Sequence, residues 1–136
     1  MEFSLPLRVY IEDTDAGGIV YYVNYLKYME RARTEYMREQ GFAKGEIFNS
    51  RLMFVVRSAT LDYRASAQLD DDLHVTARVK RVRGASMVFE QSVIKGQQLL
   101  VDAEIKIACV DAETRVPKPI PAEMRAKLGD QQSRRS

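Results

Sequence analysis

The sequence predicts an α+β domain in which one long helix is wrapped by a curved antiparallel sheet of about five strands. Three observations lead there. One long stretch near the N-terminus repeats apolar residues at helical spacing. Alternating runs fill most of the remaining chain, separated by short glycine-containing links. A helix with one broad apolar stripe must bury it, and a curved sheet does so most economically.

Taken in order, Leu5 to Glu12 alternate and read as the first strand. An acidic glycine loop over 13–23 follows, with Asp13, Asp15, Gly17 and Gly18. Asn24 is a good N-cap for a helix over 25–40. Tyr25, Met29, Ala32, Tyr36 and Met37 form its apolar stripe, and Gly41 is the favoured terminating residue. Residues 42–51 connect, with a short helix near Lys44–Phe48. Four strands are then expected over 53–63, 74–82, 86–95 and 98–111, with hairpin turns at Gly84 and Gly96. Pro117, Pro119 and Pro121 interrupt the sheet, 122–128 read as a short helix, and 129–136 as a flexible polar tail. The whole is expected to be one domain over 1–128.

Composition narrows the function. Hydrophobic residues at 46% and charged residues at 29% are those of a globular chain. A net charge of +2 does not announce a nucleic-acid binder. Cys109 is the only cysteine, which excludes an intrachain disulfide framework. His74 is the only histidine, which excludes a multi-histidine metal site. The opening residues lack a basic and then apolar leader, and no run approaches the ~18 apolar residues of a membrane span. A cytoplasmic protein with no metal and no prosthetic group is expected.

The chemistry concentrates between Asp13 and the helix. A carboxylate on a glycine loop ahead of a helix N-terminus can act as nucleophile or general base, beside backbone amides that stabilise negative charge. Taken alone, an aspartate in such a loop is more often a turn or cap residue. Asp13-Thr14-Asp15 also suggests a divalent cation, but no third ligand stands at a helpful spacing. His74 falls on the strand face opposite Val75, Ala77 and Val79, and Cys109 on an apolar face, so neither is expected to react.

The run Val9-Tyr-Ile-Glu-Asp-Thr-Asp-Ala-Gly-Gly-Ile-Val-Tyr-Tyr-Val-Asn-Tyr, continued by Glu30-Arg-Ala-Arg-Thr, resembles the hotdog-fold acyl-CoA thioesterases of the 4-hydroxybenzoyl-CoA thioesterase family. Its closest likeness is to the Tol-Pal-associated branch. Phe54-Val-Val-Arg57, Leu69-Asp-Asp71, Arg83-Gly-Ala-Ser86 and Cys109-Val-Asp111 extend the likeness over most of the chain. One position departs: many members of that branch have a histidine where Tyr22 stands, whereas the 4-hydroxybenzoyl-CoA branch also has tyrosine. No imidazole is therefore expected in the mechanism.

The resemblance implies a hotdog protomer in homodimers and commonly homotetramers, with active sites at the dimer interface that hydrolyse acyl-CoA without metal. It places the catalytic carboxylate at Asp15; the free N–H groups and dipole of the helix entry suggest backbone amides around Tyr22 to Tyr25 to polarise the thioester carbonyl. Asp13, Asn24 and Glu30 are expected to support the site. Gly17 and Gly18 are expected either to allow a positive φ or close substrate approach or to form a simple turn, and Tyr22 is the tyrosine expected to face substrate. Arg83, Gly84 and Ser86, in a cluster with Lys80 and Arg81, match a link that lies near the nucleotide of coenzyme A in related enzymes. Arg57 and Lys118 are weaker candidates there. Two rivals remain: a hotdog acyl-thioester hydratase or dehydratase, and a non-catalytic hotdog module that binds acyl carrier protein or an envelope partner.

Overall fold

A computed structural model of the chain describes residues 3–42 and 51–135, with side chains as far as residue 129. Five strands, β1 (Phe3–Arg8), β2 (Leu52–Tyr63), β3 (Asp72–Arg83), β4 (Ser86–Lys95) and β5 (Gln98–Asp111), form one antiparallel sheet in the order β1-β3-β4-β5-β2. Helix α1 spans Asn24–Glu39 and helix α2 spans Ala122–Arg135. The α+β class and the hotdog architecture are those expected. The short helix expected at Lys44–Phe48 lies outside the described residues.

Where Gly84 and Gly96 turn the hairpins, φ is +60° and +62°, a region open to glycine at little cost. Strands β4 and β5 keep their expected limits. The first strand does not: it was expected over 5–12 but ends at Arg8, paired with Asp72 of β3. Residues Ile11–Asp13 form a single 3-10 turn instead, because the Asp13 carboxylate accepts the Tyr10 N–H at 2.9 Å and pulls the backbone out of the sheet. At the other end, α2 continues to Arg135, so 129–135, expected as a frayed tail, have helical backbone.

The chain divides into two compact units. The first comprises residues 1–36, 60–78 and 90–103. Its core buries Tyr25, Tyr28, Met29 and Ala32 of α1 together with Leu73, Val75, Ala77 and Val93. Each large apolar side chain so buried contributes about 1.5–3 kcal/mol. One polar cluster lies among them. Gln91, 1% exposed, accepts from Arg33 Nη1 at 2.9 Å and donates Nε2 to the carbonyls of Met29 at 3.0 Å and Thr76 at 3.2 Å. Thr76 Oγ1 in turn accepts the Ser92 N–H. Burial holds the Arg33 guanidinium below its usual pKa, and the charge of Glu30 opposes that shift. These bonds tie α1 to β3 and β4 within this unit.

The second unit comprises 37–59, 79–89 and 104–136. Gly41, at φ +95°, ends α1 as expected: its N–H bonds to Arg38 and that of Phe42 to Met37, which satisfies the last carbonyls. The proline segment docks back on β5, with Lys118 N–H on the Cys109 carbonyl and Ile120 N–H on the Gly84 carbonyl. Ile120, Met124 and Leu128 are buried there with Ile105 and Ile107. Cys109 is fully buried, and burial pushes its thiol pKa up.

Candidate active site

The loop between β1 and α1 builds the site within the first unit. Thr14 bridges to Val20, the Asp15 N–H donates to the Ile19 carbonyl at 2.9 Å, and the Gly18 N–H returns to the Asp15 carbonyl at 3.1 Å. Asp15 therefore begins a tight turn. Gly18 takes φ +81°, which L side chains rarely adopt. Gly17 donates its N–H to Asp15 Oδ1 at 2.8 Å, and a Cβ on Gly17 would lie 3.3 Å from that oxygen. Among the described residues Asp15 Oδ2 has no partner, and the side chain is exposed. One oxygen orients the carboxylate and the other is left for chemistry.

Asp13 is committed differently. Its carboxylate holds Tyr10, while its carbonyl accepts both the Tyr21 N–H at 3.0 Å and Asn24 Nδ2 at 2.8 Å. The buried Tyr28 hydroxyl faces this carboxylate without a hydrogen bond of its own. Its pKa is raised by burial first and by the Asp13 charge next.

Two expectations at the helix entry are corrected. Asn24 was expected to cap the helix from outside, but it is the first helical residue and its side chain donates backwards to Asp13. The amides of Tyr22 to Tyr25 were expected to face substrate as a group. The N–H groups of Asn24, Tyr25 and Leu26 are instead taken by the carbonyls of Tyr21, Tyr22 and Val23, at 2.8, 3.3 and 3.1 Å. A tight first turn consumes them, leaving Tyr22 and Val23 with unbonded N–H groups among the described residues.

Tyr22 is 58% exposed and meets Tyr63 edge to face, with ring centroids 6.1 Å apart. Tyr21 lies 5.1 Å from Tyr22, and Tyr63 lies 5.9 Å from Tyr25. Tyr25, Tyr28 and Tyr36 are buried, as their spacing required. The sequence reading missed Tyr63, which ends β2 and has no local signal tying it to the loop. Glu30 is exposed on α1 and acts on Arg33 only through its charge.

The remaining candidates belong to the second unit. Ser86 Oγ donates to the Arg83 carbonyl at 3.2 Å, and the Gly84 carbonyl accepts from Ile120 N–H and Arg125 Nη2. Arg57 and Arg83 are exposed and have no acidic partner among the described residues. Lys80 is drawn off by Glu104 at 2.8 Å. In the first unit His74 is exposed on β3, 3.3 Å from Ser4 Oγ.

The five-stranded antiparallel sheet and the long helix α1 are those of the hotdog fold. The chain belongs to the thioesterase-like superfamily, whose family model matches residues 9–128. It is 45% identical over 125 residues to an acyl-CoA thioesterase YbgC of Haemophilus influenzae, covering 91% of this chain and 92% of that one. It is 41% identical over 127 residues to an acyl-CoA thioester hydrolase YbgC of Escherichia coli, covering 93% and 95%. Among solved structures, a probable thioesterase from Bartonella henselae matches with a TM-score of 0.83 at 34% identity, over 89% of this chain and 100% of that one.

Proposed function

We propose that this chain hydrolyses acyl-CoA thioesters to a free acid and coenzyme A, with Asp15 as nucleophile or general base and the N–H groups of Tyr22 and Val23 polarising the carbonyl. The observation that carries this reading is a half-engaged carboxylate on the loop that leads into two unbonded amides at the helix entry. The names of the relatives support the substrate class.

As base, Asp15 takes a proton from water while the hydroxide adds to the carbonyl carbon. The C–S bond then breaks, and the thiolate leaves with that proton. As nucleophile, Asp15 forms a mixed anhydride and expels the thiolate, and water then cleaves the anhydride. Either path builds negative charge on the carbonyl oxygen, where two amides at a helix N-terminus stabilise it. Within the second unit, we assign Arg57 and Arg83, with Gly84 and Ser86, to coenzyme A phosphates. The support is that both guanidinium groups are exposed and unpaired among the described residues. Placement in the Tol-Pal-associated branch and a cytoplasmic location belong to the same reading.

Release of free thiol from short, medium, long-chain and aromatic acyl-CoAs, and from acyl carrier protein thioesters, tests it. Release from a coenzyme A ester that Asp15→Asn slows about 1000-fold is the expected result. No release from any of them sinks the reading in favour of a non-catalytic binding module.

The sheet edges support self-association. Pro6 removes a donor from β1, whereas β2 carries neither proline nor lysine over its length and leaves Val56 52% exposed. A two-fold axis pairs β2 with its copy in a second chain. Light scattering should give at least twice the 15.6 kDa of one chain for the wild type and a lower mass for Val56→Lys. A monomeric wild type removes the idea.

A further inference from the structure

Asp15 bonds only within its own turn, so its side-chain contact cannot set its position relative to Tyr22 and Val23. Two adjacent residues in the first turn of α1 reach the two limbs of that turn. Asn24 Nδ2 donates to the Asp13 carbonyl at 2.8 Å, on the incoming limb. The Tyr25 hydroxyl accepts the Ala67 N–H at 2.9 Å. The Ala67 carbonyl then accepts the Val20 N–H at 2.8 Å, and Leu69 N–H bonds to the Gly18 carbonyl at 3.2 Å, on the outgoing limb. Tyr25 is 2% exposed and Ala67 0%, so water cannot replace their bond.

We propose that Asn24 and Tyr25 are positioning residues that clamp the Asp15 turn to the helix entry, and so set the distance between the carboxylate and the Tyr22 and Val23 amides. The inference rests on the reading of Asp15 given above. Neither side chain touches substrate. Each acts by holding the attacking group in line with the donors that receive the developing charge. Reaction rate is steep in that alignment, since a displacement of about 1 Å can cost about 100-fold.

Asn24→Asp isolates the effect on one limb. It keeps the shape but sets a carboxylate oxygen where the donor stood, 2.8 Å from the Asp13 carbonyl, so the contact becomes repulsive. Tyr25→Phe keeps the ring and removes the acceptor on the other limb. The clamp requires kcat, measured well below each variant's melting temperature, to fall about 10- to 100-fold in each variant while KM stays within about threefold. Suppose the wild type is active, Asp15→Asn is about 1000-fold slower and both variants turn over within about twofold of wild type. The clamp is then wrong and the reading of Asp15 stands. A rate loss that merely follows lower melting temperatures in both variants also overturns the clamp. If Asp15→Asn keeps the wild-type rate, the reading of Asp15 itself fails.

Discussion

Asp15→Asn is expected to lower kcat for thioester hydrolysis about 1000-fold while changing KM little. Asparagine keeps an oxygen to accept the Gly17 N–H, so the turn that begins at residue 15 stays closed. What it loses is the second oxygen, the one with no partner among the described residues, as a base or nucleophile. On the proposed reading the amides of Tyr22 and Val23 remain to polarise the carbonyl, which sets a floor under the residual rate. Thiol release measured with saturating substrate checks the figure. A single turnover in oxygen-18 water, followed by mass analysis of the peptide carrying Asp15, separates the two roles. Label in the carboxylate marks an anhydride opened at the Asp15 carbonyl carbon, and hydroxylamine trapping of the enzyme-bound acyl group distinguishes an anhydride opened at the substrate carbon, which leaves Asp15 unlabelled, from general-base catalysis.

The largest effect on stability is expected away from the loop. Gln91→Leu should destabilise the fold by about 3 kcal/mol. Leucine fits the apolar surroundings, but it removes the acceptor for Arg33 and the donor to the Met29 and Thr76 carbonyls. A guanidinium already strained by burial then has no neutral partner at Gln91. The cost comes from the group left behind, so removing that group should recover part of it. Urea denaturation should find Arg33→Met with Gln91→Leu more stable than Gln91→Leu alone. A double variant at least as unstable as the sum of the singles would count against the account.

Strand β1 and the middle of β5 were legible because alternation survives in them. Val101, Ala103, Ile105, Ile107 and Cys109 are all buried, as period two requires. The helix was legible from Tyr25, Met29, Ala32 and Tyr36, and its end from Gly41. The loop was legible in composition and not in wiring. Leu5 to Glu12 alternates past the point where the strand stops, because the competing event is a bond from Tyr10 to Asp13 that periodicity does not register. Asn24 has the composition of a cap, yet an asparagine both donates and accepts, and the carbonyl of Asp13 took the donor. The pairing of Arg33 with Gln91, and of Tyr22 with Tyr63, joins residues far apart in sequence and has no local signature.

The buried thiol of Cys109 has a practical consequence. Enzymes of this kind are assayed by trapping the sulfur that leaves the substrate, and a reactive cysteine on the enzyme would add its own colour. Here the one cysteine sits with no exposed surface in β5, its ionisation suppressed by burial. Burial therefore disfavours its reaction with the reagent, and titration of the native protein without substrate should give no colour. The same silence makes Cys109 a clock. Without substrate, slow modification of that sulfur times the local openings that expose it, with no probe added to the chain.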